Sequence, residues 1–175
     1  MAIPKPRPTA ADCNIVITGF MGTGKTTVGK RVAARLGRRF VDTDALIAKR
    51  AGMSIARIFA EQGEPAFRAL ERALVGELAR SSRLVIATGG GMLVDAENRE
   101  RMLESGFVVC LQAAPETIAA RLRQNSGRPL AANWQQLLEA RAPAYAAIPE
   151  QIDTEGKTAE QIAEEIIERW RRAFA

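Results

Sequence analysis

Gly19-Phe20-Met21-Gly22-Thr23-Gly24-Lys25-Thr26 is the stretch that decides how this chain folds. It fits G-x-x-x-x-G-K-[ST] with no mismatch. Glycines let the backbone curl until successive N–H groups point at one anion. Residues 14–18 (NIVIT), just before the loop, read as a β-branched strand. After it, Val28, Val32, Ala33 and Leu36 recur at helical spacing, with Gly37 just past the end. A helix starting at Lys25 turns its positive end toward the same anion. Gly22, Thr23, Gly24, Lys25, Thr26 and Thr27 are therefore candidate nucleotide contacts. Lys25 can bridge the β- and γ-phosphates of ATP, and the Thr26 hydroxyl can ligate Mg²⁺.

Outward from the loop, apolar strand-like runs alternate with helical patterns. Strands are expected at 14–18, 39–41, 84–88 and 107–111, with a weak fifth at 151–154. Helices are expected at 25–36, 45–51, 54–62, 65–80, 96–104, 115–124, 134–145 and 158–173, with Ser54 capping the third. Residues 125–131 read as a loop. The fold class is α/β: a three-layer P-loop fold whose central parallel sheet of about five strands is covered by helices. Strand order is not readable from one sequence. Residues 1–12, with their prolines, read as a disordered extension, and 13–175 as a single domain.

Composition removes several alternatives. The chain has 175 residues, 47% hydrophobic and 26% charged, as expected of one globular domain. There is no histidine, which excludes His-based triads and most zinc sites. Acid–base work must fall to carboxylates, Lys, Tyr or Cys. The two cysteines, Cys13 and Cys110, lie far apart beside apolar runs and read as buried reduced thiols, which suits the cytoplasm. The net charge of +5 is spread along the chain without a basic block, so a cleft for small anions is expected rather than a nucleic-acid surface. No apolar run reaches the ~18 residues that would span a bilayer, and the start lacks a secretory h-region.

Three clusters bear on what receives the phosphate. Asp42 and Asp44 flank Thr43 at the end of the second strand, where ligands gather in open parallel sheets. One aspartate can hold the metal through water and the other a substrate hydroxyl; a polar turn or helix cap is the competing reading. In Phe59-Ala-Glu-Gln-Gly-Glu-Pro-Ala-Phe67-Arg68-Ala-Leu-Glu71, Arg68 and Glu71 can pair on one helix face. Gly89, Gly90 and Gly91 end a buried strand and permit close backbone approach to a ligand; an ordinary loop is the alternative. The N-K-x-D motif of GTPases is absent, which leaves small-metabolite kinases as the leading class.

Taken in order and spacing, these segments resemble the shikimate kinase family. The resemblance runs from about Asn14 to Tyr145. It is carried by G-F-M-G-T-G-K-T-T, D-T-D, I-F-x-x-x-G-E-x-x-F-R-x-x-E, A-T-G-G-G, R-P-L at 128–130 and R-A-P-x-Y at 141–145. It implies transfer of the ATP γ-phosphate to the 3-hydroxyl of shikimate, in the route to chorismate and the aromatic amino acids. It also implies substrate-binding helices at about 45–80 and a lid at about 123–133. Asp44 resembles the aspartate that holds the ring hydroxyls, Arg68 and Arg141 the pair that grips the carboxylate, and Gly90 the glycine whose N–H meets substrate. Arg128 resembles the lid arginine that reaches the phosphates, Asp42 the magnesium aspartate, and Arg121 an arginine against adenine. Phe59 and Phe67 resemble the apolar pocket wall. Lys25, Asp44 and Arg128 are thereby the candidate catalytic residues, with Thr26 and Asp42 at the metal. The family is commonly monomeric, and a monomer is expected.

The arginine fork suits a carboxylate because it binds both oxygens. The chain departs from the family pattern at Ala131, at Pro149, in the short stretch between Arg128 and Arg141, and near 155–157. These positions bear on the lid and the adenine. A gluconate kinase would lack the paired arginines together with the three glycines. A nucleotide-binding regulator would have lost Lys25, Asp44 or Arg128.

Overall fold

β1 (Asn14–Gly19) is buried along its whole length because it is the middle strand of the sheet. In the computed structural model, which describes residues 9–124 and 132–175, five strands pair in the order β2-β3-β1-β4-β5, all parallel. After β1 come α1 (Lys25–Leu36), β2 (Arg39–Asp42), α2 (Thr43–Ala51), α3 (Ile55–Gln62) and α4 (Glu64–Leu78). Then follow β3 (Leu84–Ala87), a 3₁₀ turn at Met92–Val94, α5 (Ala96–Ser105) and β4 (Gly106–Gln112). The chain ends with α6 (Pro115–Gln124), α7 (Trp134–Ala146), β5 (Glu150–Asp153) and α8 (Ala159–Ala173). The expected α/β fold with a five-stranded parallel sheet is what forms.

The alternation of side chains along each strand sorts the core into two layers. Ile15 and Ile17 of β1, Val85 of β3 and Val109 of β4 face α1 and α8, meeting Val28, Val32, Ile162 and Ile166. Val16, Ile86, Val108 and Cys110 face the other way, against Leu74 and Leu78 of α4, Met102 of α5, Ile118 of α6 and Tyr145 of α7. A fully buried aliphatic side chain contributes about 2 kcal/mol. β1, clamped on both faces and both edges, is thus the strand least able to shift, and the loop hung from its end inherits that rigidity.

Register explains where the site forms. Ile17 of β1 lies beside Ala87 of β3, and Ala87 lies beside Asp42 of β2. On the other side, Thr18 pairs with Cys110 and Gly19 with Leu111 of β4. The segments that follow Gly19, Asp42 and Ala87 therefore leave the sheet at the same end. β1 is also where the chain order reverses, with β3 on one side and β4 on the other, which opens a crevice at the carboxyl ends of the strands.

The helix boundaries have local causes. The Asp42 side chain accepts from the Ala45 N–H, so α2 starts at Thr43, two residues earlier than expected, and Asp44 stands in its first turn. Ser54 caps α3 as expected, through the Arg57 N–H. Thr158 and Gln161 form a reciprocal capping box on α8. β5 starts one residue before its expected position. Residues 9–12, which the sequence assigns to the extension, form a turn: the Cys13 N–H donates to the Thr9 carbonyl at 2.8 Å. Arg38 donates to the carbonyls of Ala10 and Ala11 and stacks 4.7 Å over the Trp170 ring. Residues 1–8 lie outside the described residues, as do 125–131, which hold most of the expected lid and Arg128. Among the described residues, no helix is long and apolar enough to cross a membrane.

Candidate active site

The loop after β1 is shaped by close approach. Gly19 has φ 140°, and a Cβ there would stand 2.5 Å from the Leu111 carbonyl oxygen of β4, so only glycine lets the chain turn at this point. Gly22 and Gly24 also have positive φ, and Gly24 forms the N-cap of α1. The buried Thr23 hydroxyl donates to the Phe20 carbonyl at 2.8 Å, pinning the loop across its own curl. Lys25 Nζ donates to the same carbonyl at 2.9 Å, which holds the ammonium at the loop. Thr26 and Thr27 are exposed on the first turn of α1. The Arg121 guanidinium, expected at an adenine ring, donates to the Gly22 carbonyl at 3.0 Å and so sits at the rim of the loop.

The Thr26 hydroxyl donates to Asp42 Oδ2 at 3.0 Å. Asp42 uses its other oxygen as the cap of α2, which is the helix-cap reading of this residue. Together the two side chains present hard oxygen donors beside the phosphate-binding loop. No group of three or more acidic or thiol side chains that could hold a metal ion occurs among the described residues.

Across the crevice, the three consecutive glycines form a floor. A Cβ on Gly89 would collide with the Asp44 carboxylate. One on Gly90 would stand 3.1 Å from Arg141 Nη1, and one on Gly91 would stand 2.6 Å from Arg68 Nη1. Consecutive Cα atoms are about 3.8 Å apart, so Gly89 and Gly91 are separated by at most roughly 7.6 Å. Asp44, Arg141 and Arg68, from α2, α7 and α4, therefore converge on a space the size of one small ring. Gly90 also faces the other half of the site, its Cβ position lying 3.8 Å from the Met21 nitrogen.

Arg68 is held from behind. Arg68 Nη1 donates to Glu71 Oε2 at 2.6 Å, and its other donors reach Glu64. Burial works against the Arg68 cation, but Glu71 and Glu64 outweigh it and raise its pKa. Glu71 is 1% exposed. Burial pushes its pKa up, Arg68 pulls it back, and Asp44 nearby pushes it up again. Its second oxygen, Oε1, is buried without a hydrogen-bond partner among the described residues. Arg141 lies 5.8 Å from the centre of the Phe20 ring. Phe67 is buried, and its ring lies 4.8 Å from that of the exposed Phe59, tilted by 41°.

Two contributors were not assigned a role from the sequence. The Gly89 N–H donates to the buried Thr43 hydroxyl at 2.9 Å. The Tyr145 hydroxyl donates to the Gly90 carbonyl at 2.6 Å. The only signals for them were the D-T-D triplet around Thr43 and the R-A-P-x-Y stretch ending at Tyr145. Cys110 and Cys13 are free and buried. Burial pushes the Cys110 thiol up to about 11, with Lys25 pulling it back, so it stays a protonated packing group.

A family model described as shikimate kinase matches residues 21–171. The shikimate kinase of Caldanaerobacter subterraneus subsp. tengcongensis is 46% identical over 160 residues, covering 88% of this chain and 94% of that one. That of Geobacter sulfurreducens is 47% identical over 159 residues, covering 87% of this chain and 88% of its own. Among solved structures, shikimate kinase from Acinetobacter baumannii in complex with shikimate superposes with a TM-score of 0.85 at 36% identity, covering 92% of this chain and 94% of that one. In sequence over most of its length and in fold, this chain belongs to the shikimate kinase family.

Proposed function

We propose that this enzyme transfers the γ-phosphate of ATP to the 3-hydroxyl of shikimate, giving shikimate 3-phosphate and ADP for chorismate and aromatic amino-acid biosynthesis. The observation that carries the substrate assignment is the convergence of Asp44, Arg68 and Arg141 on the floor made by Gly89, Gly90 and Gly91. Two guanidinium groups meet a carboxylate, and one carboxylate meets ring hydroxyls. A hydroxylated ring acid such as shikimate satisfies both.

In the reaction, the acceptor oxygen forms a bond to the γ-phosphorus and the bond to the β,γ-bridging oxygen breaks. Charge shifts toward ADP as that bond opens. Lys25 and the N–H groups of residues 22–27 stand where that charge develops, so their contribution is positioning and electrostatic stabilisation. Asp44 orients the attacking hydroxyl and receives its proton as the new bond forms. An ordinary carboxylate is a weak base toward an alcohol, so most of its effect comes from orientation. Arg121, at the rim of the loop, is placed to pack on the nucleotide. Thr26 and Asp42 would hold Mg²⁺, which supplies charge neutralisation between the phosphates. Arg68 and Arg141 bind the carboxylate; α2 and α4 carry Asp44 and Arg68, and α7 carries Arg141.

Action as a monomer is part of the same reading. Two free buried thiols suit a reducing cytoplasm. The test is an ADP-release assay with shikimate, quinate and gluconate side by side. Turnover with shikimate far above the others is expected. Turnover with gluconate and none with shikimate would overturn the assignment.

A further inference from the structure

Glycines have no side chain with which to hold themselves, and a run of three is the least constrained backbone available. Gly89, Gly90 and Gly91 nevertheless form the floor on which three substrate-facing groups rest, so outside partners must fix them. The Gly89 N–H is held by Thr43, and the Gly89 carbonyl accepts from the Met92 N–H at 3.2 Å. The Gly91 carbonyl accepts from the Val94 N–H at 3.2 Å. The remaining carbonyl, that of Gly90, is taken by the Tyr145 hydroxyl of α7.

Tyr145 lies on α7 one turn beyond Arg141 and is 6% exposed. A peptide unit is planar and trans, so holding the Gly90 carbonyl also fixes the direction of the Gly91 N–H. The same glycine is in contact range of Arg141. One hydroxyl therefore bears on both the peptide plane and the place where the guanidinium rests. Burial pushes the phenol up to about 12, with Arg141 beside it pulling it back, so it remains a hydrogen-bond donor at neutral pH.

We propose that the Tyr145 hydroxyl is a positioning group for the acceptor subsite: by holding the Gly90 carbonyl it sets the Gly90–Gly91 peptide plane against which Arg141 meets the acceptor carboxylate, and it leaves the nucleotide subsite untouched. This rests on the shikimate reading of the site. It assigns Tyr145 a task in acceptor affinity beyond filling the core beneath β4.

The test is Tyr145→Phe, which keeps the ring and removes one oxygen. Steady-state ADP release is measured against shikimate at saturating ATP, then against ATP at saturating shikimate, alongside thermal melting. The KM for shikimate should rise about three- to tenfold, while the KM for ATP stays within about twofold and melting is little changed. Arg141→Lys should raise the shikimate KM less in the Tyr145→Phe background than in the wild type, because the two act on one geometry. An unchanged KM for shikimate would overturn the proposal. So would an equal rise in both KM values with a lowered melting point, since the hydroxyl would then serve only the fold. Absence of shikimate turnover in the wild type would instead sink the underlying assignment, so the two failures are told apart.

Discussion

Gly91 is packed against Arg68 so closely that a methyl group on it would stand 2.6 Å from Arg68 Nη1. The obstacle is the tip of a flexible side chain and not backbone. Relief is therefore cheaper for folding than a clash with backbone and costly for function, because the tip that must move is the one proposed to grip the acceptor carboxylate. Gly91→Ala should melt close to the wild type yet raise the KM for shikimate roughly tenfold or more. Gly19→Ala should behave in the opposite way. Its φ is 140° and its obstacle is the Leu111 carbonyl, so it should lose about 2 kcal/mol or more of stability. Denaturant melts and shikimate titrations of the two variants check this contrast. Equal melting points for both would contradict it.

Glu71 holds Arg68 from behind, with 1% exposure and a 2.6 Å contact. Removing it leaves a half-buried cation without its buried partner. Glu71→Ala should cost about 3 kcal/mol of stability and weaken shikimate binding more than ATP binding.

The same carboxyl gives a pH test. Burial raises the folded pKa of Glu71 above its unfolded value. Between those two values the folded state binds more protons than the unfolded one. The contribution of Glu71 to stability is thus present below the unfolded pKa and is lost as pH rises through the folded pKa. Measured from about pH 4 upward, the wild type should lose stability relative to Glu71→Gln. A wild type that gains on the glutamine variant over that range would show the opposite shift.

Asp44→Asn keeps the size of the group resting on Gly89 and removes its charge. Turnover should fall roughly 10²-fold or more while nucleotide affinity holds, because Asp44 is proposed to meet the acceptor and not the nucleotide. Nucleotide fluorescence titration beside the turnover assay separates the two. Equal losses in both would move Asp44 out of the acceptor subsite.

Lys25→Ala should fold normally, since Lys25 is part of no core layer, and lose roughly 10²–10³-fold in turnover. Circular dichroism and ADP release together check it. Near-wild-type turnover would exclude Lys25 from the charge stabilisation assigned to it.

What was legible in the sequence was what local chemistry decides. The loop at 19–26, the strand before it and the helix after it follow from contiguous residues. So do the Ser54 cap and the alternation of β and α. Asp44 stands out in the D-T-D triplet, but its place in the first turn of α2 depends on Asp42 capping that helix, a contact competing with a simple strand end. The turn at Met92–Val94 follows a glycine run that has no periodicity to read. The strand order rests on pairings between β1 and strands about 70 and 90 residues away, which no local pattern encodes. Thr43 and Tyr145 were visible only as letters in motifs. Their tasks exist only once α2 and α7 close on the same three glycines.

The most direct measurement is the identity of the product. Purified protein, ATP, Mg²⁺ and shikimate are incubated, and the phosphorylated acceptor is examined by phosphorus NMR with proton coupling alongside ADP release. The expected result is one phosphomonoester, coupled to the ring proton at the 3-position, formed in equal amount to ADP. ADP without a phosphorylated acceptor, or phosphate on another hydroxyl, would contradict the site built from Asp44, Arg68, Gly90 and Arg141.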